Sequence, residues 1–193
     1  LQYRQMYEQA IDRRHPGYTG FNAFAHDRAL AGPGYAPFKS PNADTLYSNA
    51  YLDLSRGPVL LEVPDTQGRY YTANFLDMYG NATNISARTH GMHGGRYLIV
   101  PASWQGTAPP DVTTFRVTTP YVWILLRILV GDAADARRTH ALQDRFWLTP
   151  QYTADGDTRA WPDGRLTDAI GFFRILDCTL RTNGHPAQEE ALV

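Results

Sequence analysis

The side chains best suited to acid–base chemistry are Asp44, Asp77, Arg88 and His90. A carboxylate or an imidazole can shuttle a proton, and an arginine can stabilise developing negative charge. Asp44 sits in "SPNADTLYSNAYLDLS" (40–55), after a turn and before a strand-like run. An aspartate there ordinarily accepts backbone N–H bonds in an Asx-type turn, a role that competes with catalysis. Asp77 closes the apolar "NFL", and Arg88 ends "ATNISAR". If Arg88 met Asp44 or Asp77, a bidentate ion pair under a pocket could shift the carboxylate's pKa. His90 and His93 in "RTHGMHGG" have a spacing that can bring two imidazoles together. A structural zinc site needs four ligands, and the segment offers no neighbouring Cys or carboxylate. An exposed loop is therefore the better reading, and neither a metal nor another cofactor is expected.

Residues 40–55 pose a second question. Even positions (Leu46, Ser48, Ala50, Leu52, Leu54) describe a core face, whereas odd positions carry Thr45, Tyr47, Asn49, Tyr51 and Asp53. The odd face reads first as the wet side of an antiparallel sheet. In a curled or closed sheet it would instead line a cavity, with Asn42, Tyr47, Asn49, Tyr51, Tyr71 and Trp123 contacting a ligand.

The elements that must position these residues can be read from period and punctuation. "LQYRQMYEQAIDRR" places Tyr3, Met6, Tyr7, Ala10 and Ile11 at helical spacing, with Pro16-Gly17 as the stop. Residues 17–42 form an irregular arm. From 44 to about 130, short runs separated by Gly, Pro and Asn predict strands: "VLLEV", "RYYTANFLD", "ATNISAR", "RYLIV", "VTTFRV" and "YVWILLRIL". Asp132 caps a helix through "AADARRTHALQDRFW", closed by Pro150, and "LTDAIGFFRILDCTLRT" forms a second amphipathic helix ended by Asn183-Gly184. The expected fold is α+β and mainly antiparallel β, as a curled sheet, sandwich or barrel-like form. An N-terminal helix and two C-terminal helices flank it. We expect one domain over 1–193: an arm (1–43), a β-rich core (44–130) and a helical part (131–193).

Composition narrows the function. The chain of 193 residues has net charge −1 and no block of like charge, so nothing favours nucleic acid. The apolar run 122–130 is broken by Arg127 and too short to span a bilayer. No signal peptide is evident in these residues, so a cytoplasmic and an exported location both stay open. A single cysteine, Cys178, permits no internal disulfide. Serine-hydrolase elbow, Walker and dinucleotide-binding glycine motifs are absent.

The ordered motifs "SPNADTLYSNAYLDLS", "GPVLLEVPDTQGRYY", "LDMYGN", "ISARTHG", "YLIVPASWQGTAPP", "VWILLRILV" and "IGFFRILDCTLRTNGHP" resemble the bacterial family called domain of unknown function 1254. The resemblance covers about residues 15–190. It implies a β-rich fold and places recurring family positions at Asn42, Asp44, Thr45, Tyr47, Ser48, Asp53, Tyr70, Asp77, Arg88 and Gly91. Family members are loosely associated with envelope carbohydrate biosynthesis and usually continue into a second domain, numbered 1214. That domain would here be missing, cut off or carried by another chain.

The functional expectation is a cofactor-free biosynthetic enzyme that cyclises, isomerises or hydrolyses a small molecule in an enclosed aromatic pocket. One alternative is a carbohydrate- or small-ligand-binding module with an open aromatic groove. The other is an assembly subunit or homo-oligomer using an apolar patch around Phe172 and Phe173.

Overall fold

A computed structural model describes residues 2–31, 44–132, 134–152, 159–165 and 168–184. Asn42, one of the expected ligand contacts, lies outside the described residues. The N-terminal apolar stripe forms helix α1 (Gln2–Met6), continued by a π-helical turn (Tyr7–Ile11). The arm contributes a short strand, β1 (Ala25–His26). Strands β2 (Thr45–Asp53), β3 (Val59–Val63), β4 (Tyr71–Asp77) and β5 (Ala82–Ser86) follow. A single helical turn, α2 (Ala87–His90), leads to β6 (Gly95–Pro101), β7 (Thr113–Val117) and β8 (Tyr121–Leu129). The order ends with α3 (Ala136–Gln143), β9 (Trp147–Pro150) and α4 (Ala169–Asn183).

Among the described residues the strands make two sheets, ordered β1-β2-β8-β4-β5 and β7-β6-β3-β9. All pairs are antiparallel except β6 with β7. Neither sheet closes on itself, so the α+β expectation resolves to a sandwich. Even positions of β2 and β8 (Ala50, Leu52, Val122, Ile124, Leu126) meet Val59, Leu61 and Val63 of β3 and Ile99 of β6 in one apolar cluster. Strict alternation on these strands keeps that register, because a one-residue slip would turn the whole set outward.

The last part of the chain differs from the sequence reading. Asp132 does accept a turn bond from the Asp135 N–H (2.8 Å) ahead of α3, but the helix stops at Gln143. Residues 147–150 are strand, paired antiparallel with β3, rather than the end of a helix. The outer edge of β3 offers unpaired ladder groups, and this local stretch satisfies them. Phe146 and Leu148 meanwhile enter the inter-sheet core.

The proline-rich stretch after β6 is the parallel crossover to β7. Trp104 and Ala108 from it cover Leu60, Leu98 and Val100 on the outer face of the second sheet. The glycine-rich "THGMHGG" has a backbone explanation. Gly94 has φ +81°, and a Cβ there would come within 2.6 Å of the Val63 carbonyl oxygen. Only glycine lets the chain pass so close to the end of β3.

Helix α4 begins at an Asp168 cap, whose Oδ1 accepts the Gly171 N–H at 2.6 Å. Ile175 packs inward, while Ile170, Phe172 and Phe173 stay exposed. No helix among the described residues is long and apolar enough to cross a membrane.

Candidate functional site

The odd face of β2 is not a wet outer surface at Tyr47 and Tyr51, and its last residue, Asp53, lines a cleft. Tyr47, Tyr51, Tyr121, Trp123 and Leu125 on β2 and β8 are covered by Tyr3, Met6 and Ala10 of the N-terminal helix. Tyr51 stacks on Trp123 with ring centres 6.3 Å apart. The indole N–H of Trp123 donates to Asn49 Oδ1 (3.0 Å), and the Gln9 amide donates to the Asn49 carbonyl (3.0 Å). Burial drives the Tyr51 phenol well above its ordinary pKa. Tyr71 lies on the opposite side of the same sheet, in the inter-sheet core. Its hydroxyl donates to the Gly91 carbonyl (3.2 Å), and burial, then the neighbouring Tyr97, push its pKa up to about 12. Tyr47, Tyr51, Tyr71 and Trp123 therefore do not share a pocket.

The expected acid–base group is also dispersed. Asp44 is exposed at one end of β2, and its carbonyl accepts the Val130 N–H (2.8 Å). Asp77 aligns, through Val122 of β8, with Leu52 near the other end of β2. Eight residues of strand separate the two levels, or about 26 Å. Asp77 is 4% exposed and organises the β4–β5 turn. Its carboxylate accepts the Tyr79 N–H (2.9 Å), the Asn81 N–H (2.8 Å), the Asn81 amide (2.9 Å) and the Thr118 hydroxyl (2.6 Å). Burial pushes this carboxyl up, but the bonds from Thr118, Asn81 and Tyr79 outweigh it and hold the pKa below the ordinary value. A carboxylate so saturated with donors is a poor proton shuttle near neutrality.

Arg88 is exposed on α2, at the end of β5 away from Asp77, and no ion pair joins it to either aspartate. His90 is exposed, bonds Thr89 Oγ1 through Nδ1 (2.8 Å) and meets the Tyr97 ring edge-on at 5.2 Å. His93 is exposed, and no set of three or more potential metal ligands gathers among the described residues.

One concavity lies at the Asp53 end of the first sheet. It is a half-open cleft of about 450 Å³, bounded by the N-terminal segment, the ends of β2 and β9, and residues 159–161. Asn22, with φ +61°, knits the floor. Its Oδ1 accepts the Asp53 N–H (3.0 Å), and its amide donates to the Tyr152 hydroxyl (2.9 Å). Tyr152 in turn donates to the Asp53 carbonyl (2.8 Å). The Asp53 carboxylate is almost fully buried and accepts the Ser55 hydroxyl at 2.6 Å. The Ser55 oxygen stands 3.3 Å from the Tyr121 hydroxyl.

Cations and rings alternate around this floor. The Arg159 guanidinium lies 5.2 Å from the centres of both the Tyr121 and Trp161 rings, and one Nη reaches Ser55 Oγ at 3.5 Å. Arg56 lies 5.4 Å from the Tyr152 ring. Arg13 is exposed on the rim, and Tyr18 and Phe21 add further aromatic wall. Arg13, Arg56 and Arg159 thus border the cleft together with Asp53. Sequence reasoning reaches Asp53 as an odd-face position of the 40–55 strand and through the family resemblance, and misses Asn22, Arg56, Tyr152, Arg159 and Trp161. These residues come from segments far apart in the chain, and no spacing rule links them.

A profile of the family described as protein of unknown function (DUF1254) matches residues 21–150, more than half of the chain. The chain belongs to the DUF1254 family. The matched span runs from Phe21 at the cleft to Pro150 at the end of β9, and so includes both sheets. Among solved structures, the DUF1254 chain resembles the VPA0106 protein from Vibrio parahaemolyticus. Identity is 24% and the TM-score 0.73, over 94% of this chain and 43% of that one. A protein from Burkholderia cenocepacia matches at 13% identity and a TM-score of 0.43, over 93% of this chain and 48% of that one. The chain thus spans less than half the length of these two solved proteins. The first likeness supports the fold alone. No curated protein matches the chain.

Proposed function

We propose that this DUF1254 chain is a small-ligand-binding module, and that its ligand is an anion carrying a ring. The supporting observation is the placement of arginines beside aromatic rings around one cleft. Arg13, Arg56 and Arg159 border the same 450 Å³ space as Asp53. Ligand sites of this size combine apolar walls with a few placed polar groups. Guanidinium groups held against aromatic faces are already oriented, so less entropy is lost when they bind an oxyanion.

Calorimetric titration with phenyl phosphate, benzoate and phenol tests the reading. The two anions bind and phenol does not. Arg159→Gln weakens anion binding by about tenfold or more, the scale of one charge-assisted hydrogen bond. Equal binding of phenol and benzoate, or no binding of either anion, sinks the proposal.

A cofactor-free enzyme is the second reading, and one observation favours moving it to this cleft. From Asp53 on the cleft, a chain of polar groups runs through Ser55 to the buried Tyr121. If the cleft is catalytic, Asp53→Asn abolishes turnover of a bound ligand while leaving its affinity within a few-fold. Unchanged turnover removes Asp53 from the chemistry.

A further inference from the structure

The outer face of the first sheet carries a second feature, away from the cleft. Arg127 projects from β8 on the same side as the odd residues of β2, opposite Tyr47 on β2 and Thr72 on β4. Its guanidinium lies 5.4 Å from the Tyr47 ring centre. Its Nε is fully buried, yet it has no hydrogen-bond partner among the described residues. Thr45, 3% exposed, has the same defect, since its Oγ1 is buried and unpartnered.

The two side chains are diagonal neighbours. Tyr47 is directly opposite Arg127, and Thr45 lies two residues along the same face. Diagonal positions in an antiparallel pair are about 7 Å apart, within reach of a long side chain. Buried donors are nearly always satisfied, so two orphans side by side on one face call for an acceptor. The strand residues around them, Tyr47, Asn49, Thr72 and Asn74, are all uncharged, so none of these four neutralises Arg127.

We infer that this patch binds an oxyanion, a carboxylate or phosphate group of a small molecule, with Arg127 and Thr45 as its paired donors. The guanidinium supplies charge and a planar edge of N–H groups, and the hydroxyl supplies a third donor at a fixed offset. The Tyr47 ring beneath the guanidinium fixes its orientation before the anion arrives. The site is independent of the cleft. Arg127 pairs two rows before Leu129, toward the Thr45 end of β2, whereas Asp53 at the cleft pairs with Tyr121 at the other end of β8.

The test follows the arginine Nε–Hε signals of the intact chain by NMR while sodium phosphate, acetate and benzoate are added at constant ionic strength. The Arg127 signal is identified by its loss in Arg127→Lys. If that variant does not fold, it is identified by its displacement in Thr45→Val, which keeps the shape and the arginine. The expected result is a saturable downfield movement of the Arg127 signal, with affinity reduced about fivefold in Thr45→Val, the loss of one hydrogen bond. A stronger response to phosphate than to the carboxylates identifies a phosphoryl ligand, and the reverse identifies a carboxylate. The inference is overturned if the signal does not saturate below about 10 mM of any of these anions. It is also overturned if Arg127 moves only in parallel with the exposed arginines.

Discussion

Trp123 donates its indole N–H to Asn49 Oδ1 at 3.0 Å, from one central strand of the first sheet to the next and underneath the N-terminal helix. The pair explains an amide on a face of large aromatic rings. A tryptophan 8% exposed cannot leave its only donor unpaired without cost. Asn49→Ala removes the acceptor and keeps the ring buried. The expected loss is about 2 kcal/mol of unfolding free energy, read by urea denaturation. A loss below about 0.5 kcal/mol, the range of an ordinary surface change, contradicts this second core.

Asp77 is predicted to act on stability. Asp77→Asn places an amide N–H₂ against donors from Thr118, Tyr79 and Asn81, so it lowers stability by about 2 kcal/mol. Because the folded pKa is depressed, the ionised carboxylate stabilises the fold above the ordinary value near 3.8. That contribution is lost as pH falls from there through the folded pKa. Urea titrations between pH 6 and pH 2 on both proteins check this, and parallel pH curves refute it.

His26 predicts a second pH effect in a milder range. Its Nδ1 lies 2.8 Å from the hydroxyl of the fully buried Ser48, which also accepts from the Gln143 amide (3.0 Å). Burial and the nearby Arg28 cation lower the His26 pKa, while Asp144 opposes them. A depressed histidine pKa means that the unfolded chain takes up the proton first. Stability therefore declines as pH drops below about 6.5 and levels off once pH passes the folded pKa. Thermal melts between pH 7.5 and pH 5 show the decline, and His26→Gln flattens it. A wild-type melting temperature that is constant over this range disproves the effect.

Asp135 ties α3 to the first sheet. Its carboxylate takes two guanidinium bonds from Arg69, one at 2.7 Å, with further bonds from Arg138 (3.0 Å) and the Gly131 N–H (2.9 Å). The Arg69 bonds, and then the Gly131 N–H, hold its pKa well below the usual carboxylate range. Arg69→Leu strips the main partner from a carboxylate 5% exposed and costs about 3 kcal/mol. Arg69→Leu/Asp135→Asn together cost less than Arg69→Leu alone, because no buried charge is left behind. A double variant less stable than the single one rejects this account.

The strands were readable because their signals are local. "TLYSNAYLD" alternates, its flanking turns are punctuated, and its even face can only be core. The family was legible for a related reason, since its motifs are contiguous and ordered. The short strand Trp147–Pro150 was not readable, because four residues carry no period and only the edge of β3 makes them a strand. The arm's pairing of His26 with Ser48 has the same character.

By itself the sequence determined the mainly antiparallel α+β class, the flanking helices and the inward face of each long strand. Period and turn chemistry act over a few residues, and those properties need nothing more. The tertiary structure decided what the odd face of β2 is for. Tyr3, Met6 and Ala10 reach across more than forty residues to cover Tyr51 and Trp123, so tyrosines and an amide that read first as a wet face became a second core. Tertiary structure alone likewise put Asp44 and Asp77 at opposite ends of one sheet. It drew Asn22, Asp53, Arg56, Tyr152 and Arg159 to one cleft. Spatial convergence of distant segments follows from burying apolar faces against each other, and that depends on the whole chain at once.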